Sequence, residues 1–222
     1  MSDDRKLDSV TRPKQARSQE TLYRILDAAE ALIEEKGLLD VSIPEIVRRA
    51  GSSVGGFYAR FRDKNELLRA LEERFFGQME DKLEQLADPG QWGEAGIPEI
   101  VSACVHELVT TARERRNLIA AVLSTSARDP EFLEAGLRFR RGVSRRMSEL
   151  LLTRREQIHH PEPEVAVDLG VQFAFGLMLQ SVVFGGTWAG GRTLSDAQLE
   201  REIARSFLAY VGAVPPKWRS DP

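Results

Sequence analysis

Cysteine is almost missing from this chain of 222 residues: Cys104 is the single thiol, and histidines number three. One thiol closes no intramolecular disulfide, and so few soft ligands leave no zinc-type centre, so no metal and no cofactor are expected. The scarcity fits a reducing compartment, the cytoplasm. Neither sign of charge dominates. Lys and Arg total 31 against 34 Asp and Glu, a net charge of −3 with a pI near 5.8, which excludes a disordered polyelectrolyte. The 17 glycines are too few for a collagen-like repeat. Long apolar runs are lacking as well. The longest uncharged stretch, Leu169 to Gly191, is interrupted by Gln172 and Gln180 and closed by Gly185-Gly186 after about 16 residues, short of the ~20 that span a bilayer. Met1 to Arg17 is polar, with no apolar segment of the secretory kind. No Gly-rich phosphate loop, serine nucleophile elbow or histidine with an orienting acid is present, so no enzyme is expected. Cys104 and His106, two apart, point to different faces of a helix and make no metal pair.

Helical periodicity fills most of what remains, and the chain reads as all-α with about nine helices. From Ser18 to Lys36, Leu22, Ile25, Leu26, Ala29, Leu32 and Ile33 recur at spacings of three and four, and Gly37 ends the pattern. Ser42-Ile43-Pro44-Glu45 has the form of a capping box with Pro in the first turn, ahead of a short apolar face (Ile46, Val47, Ala50) closed by Gly51. A third short helix, about Ser53–Arg60, carries Phe57, Tyr58 and Phe61. A fourth starts at Asp63-Lys64-Asn65-Glu66 and runs to Leu86. After the Gly- and Pro-bearing break at Asp88–Gly96, further helices are expected at Pro98–Glu114, Asn117–Ala127, Pro130–Gln157, Pro163–Phe184 and Ser195–Val211. The domains expected are a basic arm over 1–16, a three-helix unit over 17–64, a larger helical body over 65–214 and a loose tail over 215–222.

Charge is unevenly distributed. Residues 1–75 hold 14 bases and 14 acids. Within them, Arg48 to Lys64 carries five bases (Arg48, Arg49, Arg60, Arg62, Lys64) against Asp63 alone, and Arg12, Lys14 and Arg17 stand in the arm with no acid between them. Local positive charge beside short helices suits a phosphate backbone. The acidic excess, 20 acids against 17 bases, belongs to the rest of the chain.

Two short helices joined by a tight glycine turn are the layout of a helix-turn-helix, whose second helix enters the major groove. The segments Ile25-Leu26-Asp27-Ala28-Ala29, Glu35-Lys36-Gly37, Ser42-Ile43-Pro44-Glu45-Ile46, Ala50-Gly51-Ser52-Ser53-Val54-Gly55-Gly56-Phe57-Tyr58 and Phe61-Arg62-Asp63-Lys64-Asn65-Glu66-Leu67-Leu68 resemble, in order and spacing, the TetR/AcrR family of transcriptional regulators. The resemblance covers residues 17–70. It implies that Ser42 caps the first motif helix and meets phosphate, that Gly51 makes the turn, and that Ser53 caps the recognition helix. That helix would expose Ser52, Ser53, Val54 and Gly56. Tyr58 and Lys64 would grip phosphates, with Lys14, Arg17 and Arg49 adding charge. Arg48, Arg49 and Arg62 read equally as a solvated face, and Phe57 and Phe61 as core. Val54 stands where the family often has Lys, Arg or Thr, and Gly56 where it often has Thr or Ser. Few side chains are left for bidentate base contacts, so phosphate contacts, close backbone approach at Gly55 and Gly56, and a Val54 contact with a thymine methyl are expected.

The resemblance further implies a homodimer through the helices near 163–184 and 195–211, placing two recognition helices on a palindromic double-stranded operator, and a small-molecule effector that releases a repressor. The helix from Pro163 is apolar nearly all round, and Gly170, Ala174 and Gly176 would let another backbone approach. Trp92, His106, Arg113, Gln172 and Trp188 are candidate pocket residues; no membrane role is expected. A second reading stays open: a ligand-sequestering or protein-interaction module with a weakened DNA-binding unit.

Overall fold

The computed structural model describes residues 16–185, 191 and 193–213, with side chains from residue 19 onward. Lys14 and almost all of the expected arm, Trp188, and the tail from 215 lie outside the described residues, as does the side chain of Arg17. Among the described residues there are nine α-helices and no β-strand: α1 (Ala16–Lys36), α2 (Ile43–Arg49), α3 (Val54–Tyr58), α4 (Lys64–Leu86), α5 (Ile97–Glu114), α6 (Arg116–Ser126), α7 (Pro130–Leu152), α8 (Pro163–Met178) and α9 (Asp196–Val211).

Two compact units form. The first comprises the described residues up to Met79 together with Arg115–Ala135; the second comprises Glu80–Glu114 and the described residues from Gly136. The sequence suggested a division after residue 64, and the first unit instead takes in most of α4 and all of α6. Its core explains why. Leu67, Leu68 and Leu71 of α4, Leu118, Ala121 and Val122 of α6, and Phe132 of α7 are buried in the same cluster as Ile25, Leu26 and Ile33 of α1, Ile46 and Val47 of α2, and Phe57 and Phe61. Three short helices of under 50 residues bury too little apolar surface to stand alone comfortably, and α6 supplies the missing face.

In the second unit α9 packs against both α5 and α8. Gly170 admits the ring of Phe207: a Cβ there would lie 2.7 Å from Phe207 Cε2, so this glycine serves packing inside the chain, whereas Gly176 faces outward. α9 closes on Gly212 in the left-handed region (φ 75°), and the His159 N–H donates to the Val211 carbonyl at 3.0 Å.

Two helix ends differ from the periodicity. α7 stops at Leu152 because the next residues turn to other work: Arg154 Nε donates to the Ala95 carbonyl (2.7 Å), and Gln157 Oε1 accepts the Ile97 N–H (2.9 Å) at the start of α5. The helix expected over Pro163–Phe184 is α-helical only to Met178, and Leu179–Val183 forms a π turn. This wider turn lets three successive residues, Ser181, Val182 and Val183, all face inward. Pro163–Val183 is, by length and composition, long enough and apolar enough to cross a bilayer, unlike the shorter stretch read from the sequence, and 44% of its most apolar window is buried in the fold.

Candidate nucleic-acid interface

The α2–α3 pair is set by its caps and turn. Gly51 sits at φ 59°, where a side chain would be strained, and the Ser52 N–H returns to the Val47 carbonyl at 2.8 Å. Ser53 Oγ accepts the Gly56 N–H at 3.0 Å, capping α3, and Arg60 Nη1 closes the other end on the Gly56 carbonyl at 2.7 Å. Beneath, Phe57 and Phe61 are fully buried with ring centroids 5.3 Å apart. A five-residue helix with two glycines is weak by propensity; these contacts hold it in place of propensity.

Outward, α3 presents Ser53, Val54, Gly55 and Tyr58, while Ser52 and Gly56 are half-buried. Val54 is 48% and Tyr58 54% exposed, and the Tyr58 ring stands edge-on against Phe57 at 5.4 Å, which fixes the direction of its hydroxyl. A Cβ on Gly56 would lie 2.8 Å from Ser52 Oγ and 3.2 Å from Ser53 Oγ, whereas one on Gly55 would meet only Ser53 Oγ at 3.9 Å. Gly56 is therefore explained by the cap, and Gly55 by nothing within the chain.

The other expected contacts sit around this face. Ser42 is exposed at the start of α2; its N–H (3.0 Å) and its hydroxyl (2.7 Å) both donate to Glu45. Arg49 is exposed and paired with Glu35 at 2.6 Å, Arg48 is exposed, and the Arg62 side chain is 87% exposed beside Glu66. Lys64 Nζ donates to the Val41 carbonyl at 2.6 Å, and desolvation lowers its pKa. It anchors the α1–α2 turn and retains two N–H groups for an anion.

The candidate pocket residues go to separate places. Trp92 Nε1 donates to the Leu86 carbonyl (2.7 Å), and Gln172 Nε2 to Ser144 Oγ (3.4 Å). His106 and Arg113 are exposed on α5 and clasp α9 through Glu200 (3.1 Å) and Asp196 (2.7 Å). Burial raises the Cys104 thiol to about 12, and the half-buried group lies 3.9 Å from Met147 Sδ. No group of three metal-ligating side chains gathers among the described residues.

Sequence reasoning missed the polar joint inside the first unit. Glu30 is bracketed by Arg74 and Arg115, and Arg74 also reaches Asp27 at 2.6 Å. Glu34 accepts the N–H groups of Asn117 (3.0 Å) and Leu118 (2.9 Å). Acids on the buried side of α1, among its apolar positions, were the available signal, since charges are seldom buried unpaired.

Comparison with known proteins falls on this same region. Residues 25–71 match the family of bacterial regulatory proteins of the tetR type. The HTH-type transcriptional regulator YvdT of Bacillus subtilis is 42% identical over 60 residues, 27% of this chain and 31% of that protein, so the match spans about a third of its length. BetI of Escherichia coli O157:H7 is 29% identical over 189 residues, covering 84% of this chain and 89% of its own. A solved TetR-family regulator from Mesorhizobium loti superimposes with a TM-score of 0.71 at 22% identity, covering 89% of this chain and 98% of that one, and so shares its fold. The matched residues form the second half of α1, all of α2 and α3 and the start of α4, and over them the chain is similar to the tetR family of bacterial regulatory proteins.

Proposed function

We propose that this protein is a cytoplasmic homodimeric repressor that binds a palindromic operator and is released by a small-molecule effector. The observation that carries the reading is α3 itself: a short helix held rigidly at both ends, with Val54, Gly55 and Tyr58 exposed over a fully buried Phe57. Preorganised exposure of this kind suits insertion into a major groove. Val54 offers a methyl-sized contact to a thymine, Gly55 allows backbone close to a phosphate, and Ser53, Tyr58 and Lys64 supply phosphate donors, whereas Ser42 would have to turn its hydroxyl away from Glu45 to join them. Lys14, Arg17 and Arg49 add charge whose effect depends on salt.

Dimerisation is supported by α8. Val165, Leu169 and Phe173 recur every four residues and stay exposed (51%, 38% and 43%), continued by outward-facing Gly176. Phe173 stands edge-on to Tyr210 of α9 at 5.4 Å, so the apolar stripe continues onto the last helix. An apolar stripe on a soluble helix is a natural isologous contact. In the second unit, Gln172 and Trp92 remain candidates to line an effector site, and Trp188, outside the described residues, stays a candidate from the sequence; the outward clasps of His106 and Arg113 give less support to theirs.

The alternative, a sequestering module with a weakened DNA unit, is disfavoured by the double capping of α3, which a disused helix has no reason to keep. Selection of bound duplexes from random DNA, repeated across a metabolite panel, tests the reading. A two-fold symmetric sequence whose recovery drops with one metabolite class supports it; recovery of random sequence overturns it.

A further inference from the structure

The last three residues of α1 each leave the helix in a different direction. Glu34 accepts the backbone N–H groups of Asn117 (3.0 Å) and Leu118 (2.9 Å), and its own carbonyl takes Asn117 Nδ2 (2.8 Å), so it caps the start of α6. Glu35 pairs with Arg49 in the last turn of α2 at 2.6 Å. Lys36 pairs with Glu45 in the first turn of α2 at 2.7 Å, and Glu45 in turn takes the N–H and hydroxyl of Ser42. One helical turn of α1 thus grips both ends of α2 and the start of α6. Behind it, Arg115, the residue before α6, binds Glu30 one turn back on the same helix.

Burial pushes the Glu34 carboxyl up, and it is held down by the Leu118 and Asn117 N–H groups and by Arg115. A half-buried acid tolerates that cost only with its donors in place. α2 carries α3 with it through the Val47–Ser52 turn bond, so a rotation of this last turn of α1 shifts the DNA-facing helix.

We propose that Glu34 is a positioning residue for DNA binding, which, through the Glu34-Glu35-Lys36 turn, ties the start of α6 to the placement of α2 and α3. The inference rests on the repressor reading above and adds the residue through which a change at the start of α6 is read. A second ligand need not be known to test it, because coupling is reciprocal: if α6 positions the DNA-reading helices, DNA must act on α6.

The test uses the full-length protein, the duplex that wild type selects, hydrogen exchange and binding titrations. Wild type is expected to show slower exchange at the Asn117 and Leu118 amides when the duplex is added. Glu34→Ala is expected to bind that duplex about tenfold more weakly, with Glu34→Gln partly restored because its amide oxygen still accepts an N–H. The double variant Glu34→Gln/Glu45→Gln should lose less affinity than the product of the two single losses, since both act through one turn. A cap with a purely structural role would lower the melting temperature and leave folded protein with wild-type affinity and multiplicative losses. The proposal is overturned by that result, or by unchanged exchange at Asn117 and Leu118. If Glu34→Ala does not fold, the Gln variants and the wild-type exchange still decide. Wild type that selects no duplex removes the repressor reading, and this inference with it.

Discussion

Lys36 and Glu45 meet at 2.7 Å, joining the last turn of α1 to the first turn of α2. Glu45 also takes both donors of Ser42. The Lys36 and Ser42 hydrogen bonds together lower the Glu45 carboxyl to about 2 from its ordinary 4.5. A lowered acid stabilises the fold above its unfolded pKa, and that contribution is lost as pH falls from about 4.5 towards about 2. Glu45→Gln should therefore melt below wild type at pH 7, with the gap much narrower at pH 2.5. Thermal melts at the two pH values check this; a gap of equal size at both contradicts it.

The two glycines of α3 should respond differently to alanine. At Gly55 the added methyl meets only Ser53 Oγ at 3.9 Å, so Gly55→Ala gains helix propensity, up to ~1 kcal/mol, and raises the melting temperature by a few degrees. It should weaken operator binding at least tenfold by keeping the backbone from the phosphate. Gly56→Ala collides with the capping serines at 2.8 and 3.2 Å and should gain no stability. Melts paired with anisotropy titrations decide; a more stable Gly55→Ala with unchanged affinity would argue against close approach.

Tyr58 and Lys64 are separable by salt. Removing a cation that touches phosphate flattens the slope of log K against log salt by about 0.9, whereas removing a neutral donor leaves it unchanged. Tyr58→Phe is expected to lose about tenfold in affinity for every duplex without altering the slope. Lys64→Met should flatten the slope and also cost about 1 kcal/mol of stability, since the Val41 carbonyl loses its donor. A Lys64→Met slope equal to wild type would confine this lysine to its structural bond.

Leu169→Glu and Phe173→Glu replace side chains already exposed in the folded chain, so the fold should survive. Sedimentation at micromolar concentration should show wild-type dimers and variant monomers, the latter binding the operator at least a hundredfold more weakly. Dimers in both variants would place the interface elsewhere.

Local signals carried far in this sequence. Helix starts at Ser42, Ser53, Asp63 and Ser195 and stops at Gly37 and Gly51 are written in short-range chemistry, so the elements α1 to α4 and the buried Phe57 and Phe61 were readable. Tertiary demands were not. That α6 completes the first core depends on Leu118 and Val122 meeting α1 across some 90 residues, and no periodicity encodes a partner. The outward turn of His106 and Arg113 follows from Glu200 and Asp196 being brought opposite them by α9. The expected reach of Lys64 to phosphate missed the Val41 carbonyl for the same reason: residue types were visible and neighbours were not.

Equilibrium anisotropy on one palindromic duplex recovered by selection, set against a scrambled duplex across a salt series, tests the central claim most directly. A dimer is expected to bind the palindrome orders of magnitude more tightly than the scramble. Half-site centres should lie one helical turn, ~34 Å, apart or a multiple of it, and affinity should fall steeply with salt. Equal, weak binding to both duplexes at every salt concentration would contradict it.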